Sequence, residues 1–176
     1  MVLNMRLLFE IDTKDYDING KAYVRPSSRC IYIKDGLVAM VHSLKYNYYK
    51  FPGGGIDFNE TKLDALIRET KEEAGLVIKK ESIREYGYVH RIQKANDPKN
   101  YDYFVQDNYY YLCDVLDVMV AQDLDDYEEE ERFTLEFVDY KDAININRNC
   151  CHGTKDQIMI ERETKVLELL HLDGLL

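Results

Sequence analysis

Apolar residues recur along this chain with two different periods, and the switches between them mark its elements. Residues 5–11, MRLLFEI, read as a short strand or a turn of helix. Asn19-Gly20, flanked by YDI and KAYV, predicts a hairpin with a type I′ turn. SRCIYIK (28–34) and LVAMVHSLK (37–45) are rich in β-branched and apolar residues and are broken at Asp35-Gly36, which predicts a second hairpin, central to the sheet. Tyr48 to Phe51 then lead into Pro52-Gly53-Gly54-Gly55, where a missing donor and backbone freedom rule out ordinary regular structure. From Thr61 the period becomes helical. Leu63, Leu66, Ile67, Thr70 and Ala74 fall on one stripe, the expected buried face, with Glu69, Glu72 and Glu73 opposite. Thr61 and Asp64 have the layout of a capping box, and Gly75 stands where a left-handed residue ends a helix.

The return is strand-like at 83–92 and 103–116, with a patternless surface loop at 93–102 between them. DLDDYEEEE (123–131) reads as a solvated acidic loop or as a source of one carboxylate for a site elsewhere. RFTLEFVDY (132–140) alternates Phe133, Leu135 and Phe137 on one face of a half-buried strand. A short helix near 140–147 and an amphipathic one from about 155 to 172, carrying Ile158, Val166, Leu167 and Leu170, close the chain.

The glutamates break two local rules. Like charges at helical spacing repel, and carboxylates near a helix C-terminus face the negative end of its dipole. A hard divalent cation compensates both, because clustered carboxylates supply the oxygen ligands it takes. The plainer reading is a solvated acidic face.

Spacing favours the cation. Gly54, five residues, Glu60, seven residues, Arg68-Glu69, then Glu72-Glu73, Gly75 and Leu76 resemble the Nudix box, G-x5-E-x7-R-E-U-x-E-E-x-G-U, at every fixed position. Chance agreement is on the order of one in a million at average residue usage. Thr70 stands at the first aliphatic position, where looser packing is expected, and Asn59 where relatives often carry Gly. The resemblance implies the Nudix fold, an α+β protein built as an α/β/α sandwich around a mixed β-sheet. It also implies hydrolysis of a nucleoside diphosphate linked to another moiety with Mg²⁺ or Mn²⁺. Glu69, Glu72 and Glu73 match the family's metal ligands, with the carbonyl of Gly54, or of Gly53 beside it, as a further one. Glu60 and Arg68 join the catalytic set as supports of loop and helix. Glu72 is the first candidate base, with Glu128 to Glu131 in reserve. Arg25 and Arg29 are candidate phosphate partners, ordinary surface arginines being the alternative. Tyr49 stands where relatives often have Trp and joins them as a candidate substrate contact.

Composition narrows the partners. With 176 residues, 45% hydrophobic content and three prolines, one domain spanning 1–176 is expected. A net charge of −10 argues against nucleic-acid duplexes and anionic membranes, but leaves a phosphorylated small molecule open. No run is long and apolar enough to span a bilayer, and the opening residues lack a signal-peptide core. Cys30, Cys113, Cys150 and Cys151 suit no zinc framework and read as reduced thiols of a cytoplasmic protein. The expected partner is a nucleotide, and a homodimer is compatible with the sequence. ADP-ribose and other nucleotide sugars, modified nucleoside triphosphates, dinucleoside polyphosphates and capped RNA all fit the box. Tyr-rich stretches at 46–49 and 108–111 are candidates to stack a base. Two alternatives remain at this stage: a Nudix-fold regulatory module without turnover, and prenyl diphosphate isomerisation, which needs a Cys and Glu pocket.

Overall fold

The computed structural model describes residues 5–97 and 99–176; residues 1–4, and Pro98 within the expected 93–102 loop, lie outside them. In chain order the elements are β1 (Leu7–Asp12), β2 (Ala22–Val24), β3 (Ser27–Ile31), β4 (Ile33–Lys34), β5 (Leu37–Ser43), β6 (Tyr48–Lys50) and β7 (Gly53–Gly55). Then come α1 (Lys62–Ala74), β8 (Leu76–Ile78), β9 (Arg84–Lys94), β10 (Tyr103–Leu112) and β11 (Val115–Met119). The chain closes with α2 (Asp126–Glu131), β12 (Phe133–Val138), α3 (Tyr140–Asn149) and α4 (Gln157–Leu172).

The main sheet runs β1-β9-β10-β3-β7, with β2 also on β10. It is mixed: β1 lies parallel to β9, β2 and β3 lie parallel to β10, and the β9–β10 and β3–β7 pairs are antiparallel. A second sheet pairs β5 with β12, β4 and β6, and a two-stranded ribbon joins β8 to β11.

Strand alternation sends successive side chains to opposite faces. Cys30 and Tyr111 go to one face with Leu66 of α1. Ile31 and Tyr110 go to the other, with Ala143 of α3 and Val166, Leu167 and Leu170 of α4. Helices thus cover both faces of a mixed sheet, the expected α/β/α sandwich. β3 is buried along its whole length for the same reason.

Local signals were followed where they closed on themselves. Asp35 and Gly36 both have positive φ (53° and 78°), the I′ turn that the hairpin needs, and β4 pairs antiparallel with β5. The hairpin at Asn19-Gly20 does not form. Of its flanks, 16–18 forms no strand and 22–24 becomes β2, parallel to β10, while residues 17–20 close a turn from Gly20 N–H to the Asp17 carbonyl (3.1 Å). The 103–116 run breaks at Cys113-Asp114, where β11 leaves to join β8. The acidic stretch contains a helix, α2, with Glu128 and Glu131 buried. Among the described residues no helix is long and apolar enough to cross a membrane.

On α1 the buried residues are Ala65, Leu66, Thr70, Glu73 and Ala74. Leu63 is exposed, and Glu73 belongs to the buried side rather than to the face opposite it. Packing at Thr70 is complete rather than loose, but its hydroxyl has no hydrogen-bond partner among the described residues. Thr70→Val keeps the shape and removes the orphan group, so stability is expected to rise by about 1 kcal/mol. A melting temperature that falls would show that the hydroxyl is satisfied in solution.

Candidate active site

The site is assembled by the junction from β7 into α1. Thr61 caps the helix by accepting from Asp64 N–H (3.1 Å). Gly75 ends it in the left-handed region (φ 66°) with its N–H on the Lys71 carbonyl (2.9 Å). The carbonyls left over at that end are not wasted on water. Asp123 N–H donates to Glu72 O (2.9 Å), the Gln122 amide donates to Glu73 O, and Val120 N–H donates to Gly75 O (3.0 Å). Residues 120–123 therefore fix the end of α1 and bring α2 beside it.

Arg68 is the hub of the charged face. It grips Glu60 with two parallel hydrogen bonds (Nε–Oε1 2.8 Å, Nη2–Oε2 2.8 Å) and donates to Gly55 O (3.1 Å). Its remaining nitrogen reaches Glu69 (2.7 Å) and Glu72 (3.1 Å). This arginine holds the Glu60 carboxyl below its ordinary value. The repulsion expected among the box carboxylates is thus relieved by counter-ions within the fold. Glu73 has its own. Lys50 pairs with it in the interior, and Gly53 N–H donates to it (2.9 Å). Burial still pushes its carboxyl up to about 7, although Lys50 and Arg29 pull it down; Glu128 from α2 adds to the rise.

The glycine loop is as thin as a backbone can be. A Cβ on Gly54 would lie 2.1 Å from Glu69 Oε2, and one on Gly55 would lie 3.0 Å from Arg25 Nε. Gly53 has φ 135° and lies against the β3 backbone, and its carbonyl accepts from Arg29. One layer of main chain therefore separates a bank of carboxylates from a pair of guanidiniums. Gly54→Ala should displace the Glu69 carboxylate, lowering activity at least tenfold while changing stability far less. Melting curves and phosphate-release rates of the variant test this together; equal losses in both would show a folding defect.

Beyond the loop opens a cleft of about 920 Å³, lined by Arg25, Arg29 and the three glycines, and extending over β10 and β9 to Arg91, Gln93 and Gln106. Arg25 is exposed at its mouth, while Arg29 is 8% exposed, and its Nε has no partner among the described residues. Tyr49 is elsewhere. It is buried in the core, stacked on His42 (4.3 Å) and donating to Glu136 (2.6 Å), and does not line the cleft. Tyr46 and Tyr127 do line it. Arg91, Gln93, Gln106 and Arg162 went unnoticed in the sequence. The available signal was parity: they occupy strand and helix phases whose neighbours, Val89, Tyr110 and Val166, are core.

No three Asp, Glu, His or Cys side chains among the described residues are gathered into a metal cage. The donors nevertheless fit a hard cation. Glu69 and Glu72 share Arg68 on one helix, and the Glu69 carboxyl lies against the Gly54 backbone, where burial raises it above its ordinary value and Arg68 opposes the rise. All these donors are oxygen, the ligand type that Mg²⁺ and Mn²⁺ take.

Comparison with known proteins agrees with this reading. The NUDIX domain family model matches residues 24–152. A 39-residue stretch is 51% identical to an RNA pyrophosphohydrolase of Ruthia magnifica subsp. Calyptogena magnifica, covering 22% of this chain and 22% of that protein. The chain thus aligns with only about a fifth of that curated relative. Among solved structures, a NUDIX hydrolase from Nitrosomonas europaea superposes with a TM-score of 0.53 at 13% identity, over 82% of this chain and 90% of that one. A MutT NUDIX hydrolase from Burkholderia pseudomallei gives 0.51 at 18% identity, over 79% and 97%. The E. coli ORF135 protein gives 0.51 at 15%, over 84% and 92%. At these identities the likeness is one of fold. The domain match covers most of the sequence and contains the whole glycine-loop and helix motif, and the chain belongs to the Nudix hydrolase family.

Proposed function

We propose that the protein is a metal-dependent pyrophosphohydrolase acting on a nucleoside diphosphate linked to another moiety, of the ADP-ribose, nucleotide-sugar or modified nucleoside triphosphate type. The observation that carries this reading is the thinness of the glycine loop, which sets Glu69 against one side and Arg25 and Arg29 against the other. A diphosphate lying over that loop meets cationic charge from both banks once a metal is bound. Glu69, Glu72, Glu73 and the Gly54 carbonyl would hold Mg²⁺ or Mn²⁺, which supplies charge neutralisation on the phosphate oxygens and an activated water.

The rest falls to the chain. Arg25 and Arg29 orient the diphosphate, and Glu60 with Arg68 keeps the loop and helix in register. A carboxylate takes the proton of the attacking water. Glu72 is the first candidate. Of the reserve set, Glu130 pairs outward with Lys45, Glu131 is engaged by Ser43, Tyr48 and Lys155, and Glu129 is exposed. Glu128 alone of the four is both buried and set against Glu73. The test is phosphate release from a panel of nucleoside diphosphate compounds, with Mg²⁺ and with EDTA, in wild type, Glu72→Gln and Glu128→Gln. No metal-dependent release from any compound defeats the proposal. A hundredfold loss in Glu128→Gln with little change in Glu72→Gln makes Glu128 the base.

A further inference from the structure

The floor of the cleft on β9 and β10 is polarised in one direction. Arg91 Nε donates to Gln93 Oε1 (2.8 Å), and a second Arg91 nitrogen donates to the same oxygen. Arg162, on α4, donates to Gln106 Oε1 (3.0 Å) and Asn108 Oδ1 (2.6 Å). A guanidinium has donors and no acceptor, so each contact fixes its amide with the oxygen bound and the NH₂ outward. Both arginines are almost fully buried and are themselves held by carboxylates, Asp156 and Glu163, so the amides cannot easily turn over. Neither Gln93 Nε2 nor Gln106 Nε2 has an acceptor among the described residues, and both side chains line the cleft.

The antiparallel register pairs Gln106 with Arg91 and Phe104 with Gln93, so the two amides are diagonal neighbours on one face. Aromatic rings stand beside them. Phe104 lies 5.7 Å from Tyr23, which lies 5.0 Å from Tyr101. From the glycine loop on β7 to β9 the sheet spans three strand spacings, roughly 14 Å, which leaves room for a ribose between diphosphate and base.

We propose that this floor is a base subsite selecting a 6-oxopurine, an inference that rests on the cleft being a nucleotide site. Guanine and hypoxanthine present two acceptors side by side, O6 and N7, to two outward N–H groups. Adenine places its amino group at the first of these positions, and cytosine offers an amino group there too. A donor facing a donor in a desolvated floor loses both hydrogen bonds. The flat purine also stacks on the Tyr23 and Phe104 rings.

The test compares inosine and adenosine 5′-monophosphates, which differ at the position in question, by calorimetric titration of the protein in EDTA. Inosine monophosphate is expected to bind tighter by on the order of tenfold. Gln106→Glu and Gln93→Glu each keep an oxygen for the arginine and put an acceptor in place of the NH₂, so each should cut that ratio at least threefold. Equal binding in wild type, a preference for adenosine monophosphate, no binding of either, or a ratio unchanged in both variants overturns the proposal. The hydrolase reading fails separately. Metal-dependent release without base preference removes only this inference, and base preference without any release removes only the hydrolase.

Discussion

Glu163→Ala is expected to be the most destabilising single change in this molecule, at about 3–5 kcal/mol, the range for removing one partner of a buried ion pair. Arg162 and Glu163 are 1% and 0% exposed. The carboxylate also accepts from Phe51 N–H (2.8 Å) and Tyr110 O–H (2.9 Å), so its loss strands donors on three residues at once. For a chain of this length the melting temperature should drop by roughly 6–20 °C. Glu168→Ala, on the same helix but in an exposed pair with Arg148, should cost less than about 1 kcal/mol. Urea unfolding of the two variants measures the contrast, and similar midpoints would refute it.

The pair also has a pH signature. Burial would raise the Glu163 carboxyl, but Arg162, Arg29 and its hydrogen bonds outweigh that and hold it below the ordinary range. A depressed folded-state value contributes stability that is complete above the unfolded value, near 4.3, and disappears as pH falls through the folded one. The stability gap between wild type and Glu163→Gln should therefore be constant near neutrality and close below about pH 4.

The largest effect on activity is expected from Glu69→Gln. This side chain is the one box carboxylate that both meets Arg68 and abuts the Gly54 backbone. Losing one of the proposed metal ligands should remove several kcal/mol of transition-state stabilisation, a fall of about 10²–10³ in turnover. Stability in EDTA should hardly change, since a partly exposed ion pair contributes at most about 1 kcal/mol and the amide no longer needs a desolvated charge. The decisive comparison is phosphate release across a Mg²⁺ titration beside melting curves without metal. Turnover near wild type at saturating Mg²⁺ would remove Glu69 from the metal site.

What the sequence disclosed was whatever a short segment decides for itself. Thr61, Gly75 and Asp35-Gly36 act through backbone geometry within four residues: Thr61 caps α1 with only its own half of the expected box formed, and the other two behave as read. One helix and one loop contain Glu60, Arg68, Glu69 and Glu72, so the box spacing brought them into one neighbourhood, but the Arg68 contacts that relieve the expected repulsion are visible only in the structure. Errors came where a distant partner decides. Asn19-Gly20 carries a hairpin signal, but residues 16–18 form no strand and β2 pairs with β10 instead. Helical phase puts Glu73 opposite the buried face, yet it is buried and paired with Lys50 from β6. Tyr49 looked like a substrate contact, yet a strand from the second sheet supplies Glu136 to its hydroxyl. The floor of the cleft depends on amide orientations set by arginines on other elements, which no pattern along the chain encodes.

The position of β10 in the sheet has a consequence for synthesis on the ribosome. It pairs with β2, β3 and β9, yet Asn108 is separated from Ser27, its neighbour on β3, by 81 residues. At about 5–20 residues per second, that separation means a delay of roughly 4–16 s during which β2 and β3 lack the strand they belong to. The glycine loop and α1 emerge within that interval and can form their own caps, but they have no completed sheet to dock on. Nascent chains stalled before residue 103 should therefore bind chaperones and be cut readily by proteases, and chains stalled with β10 and β12 outside the exit tunnel should not.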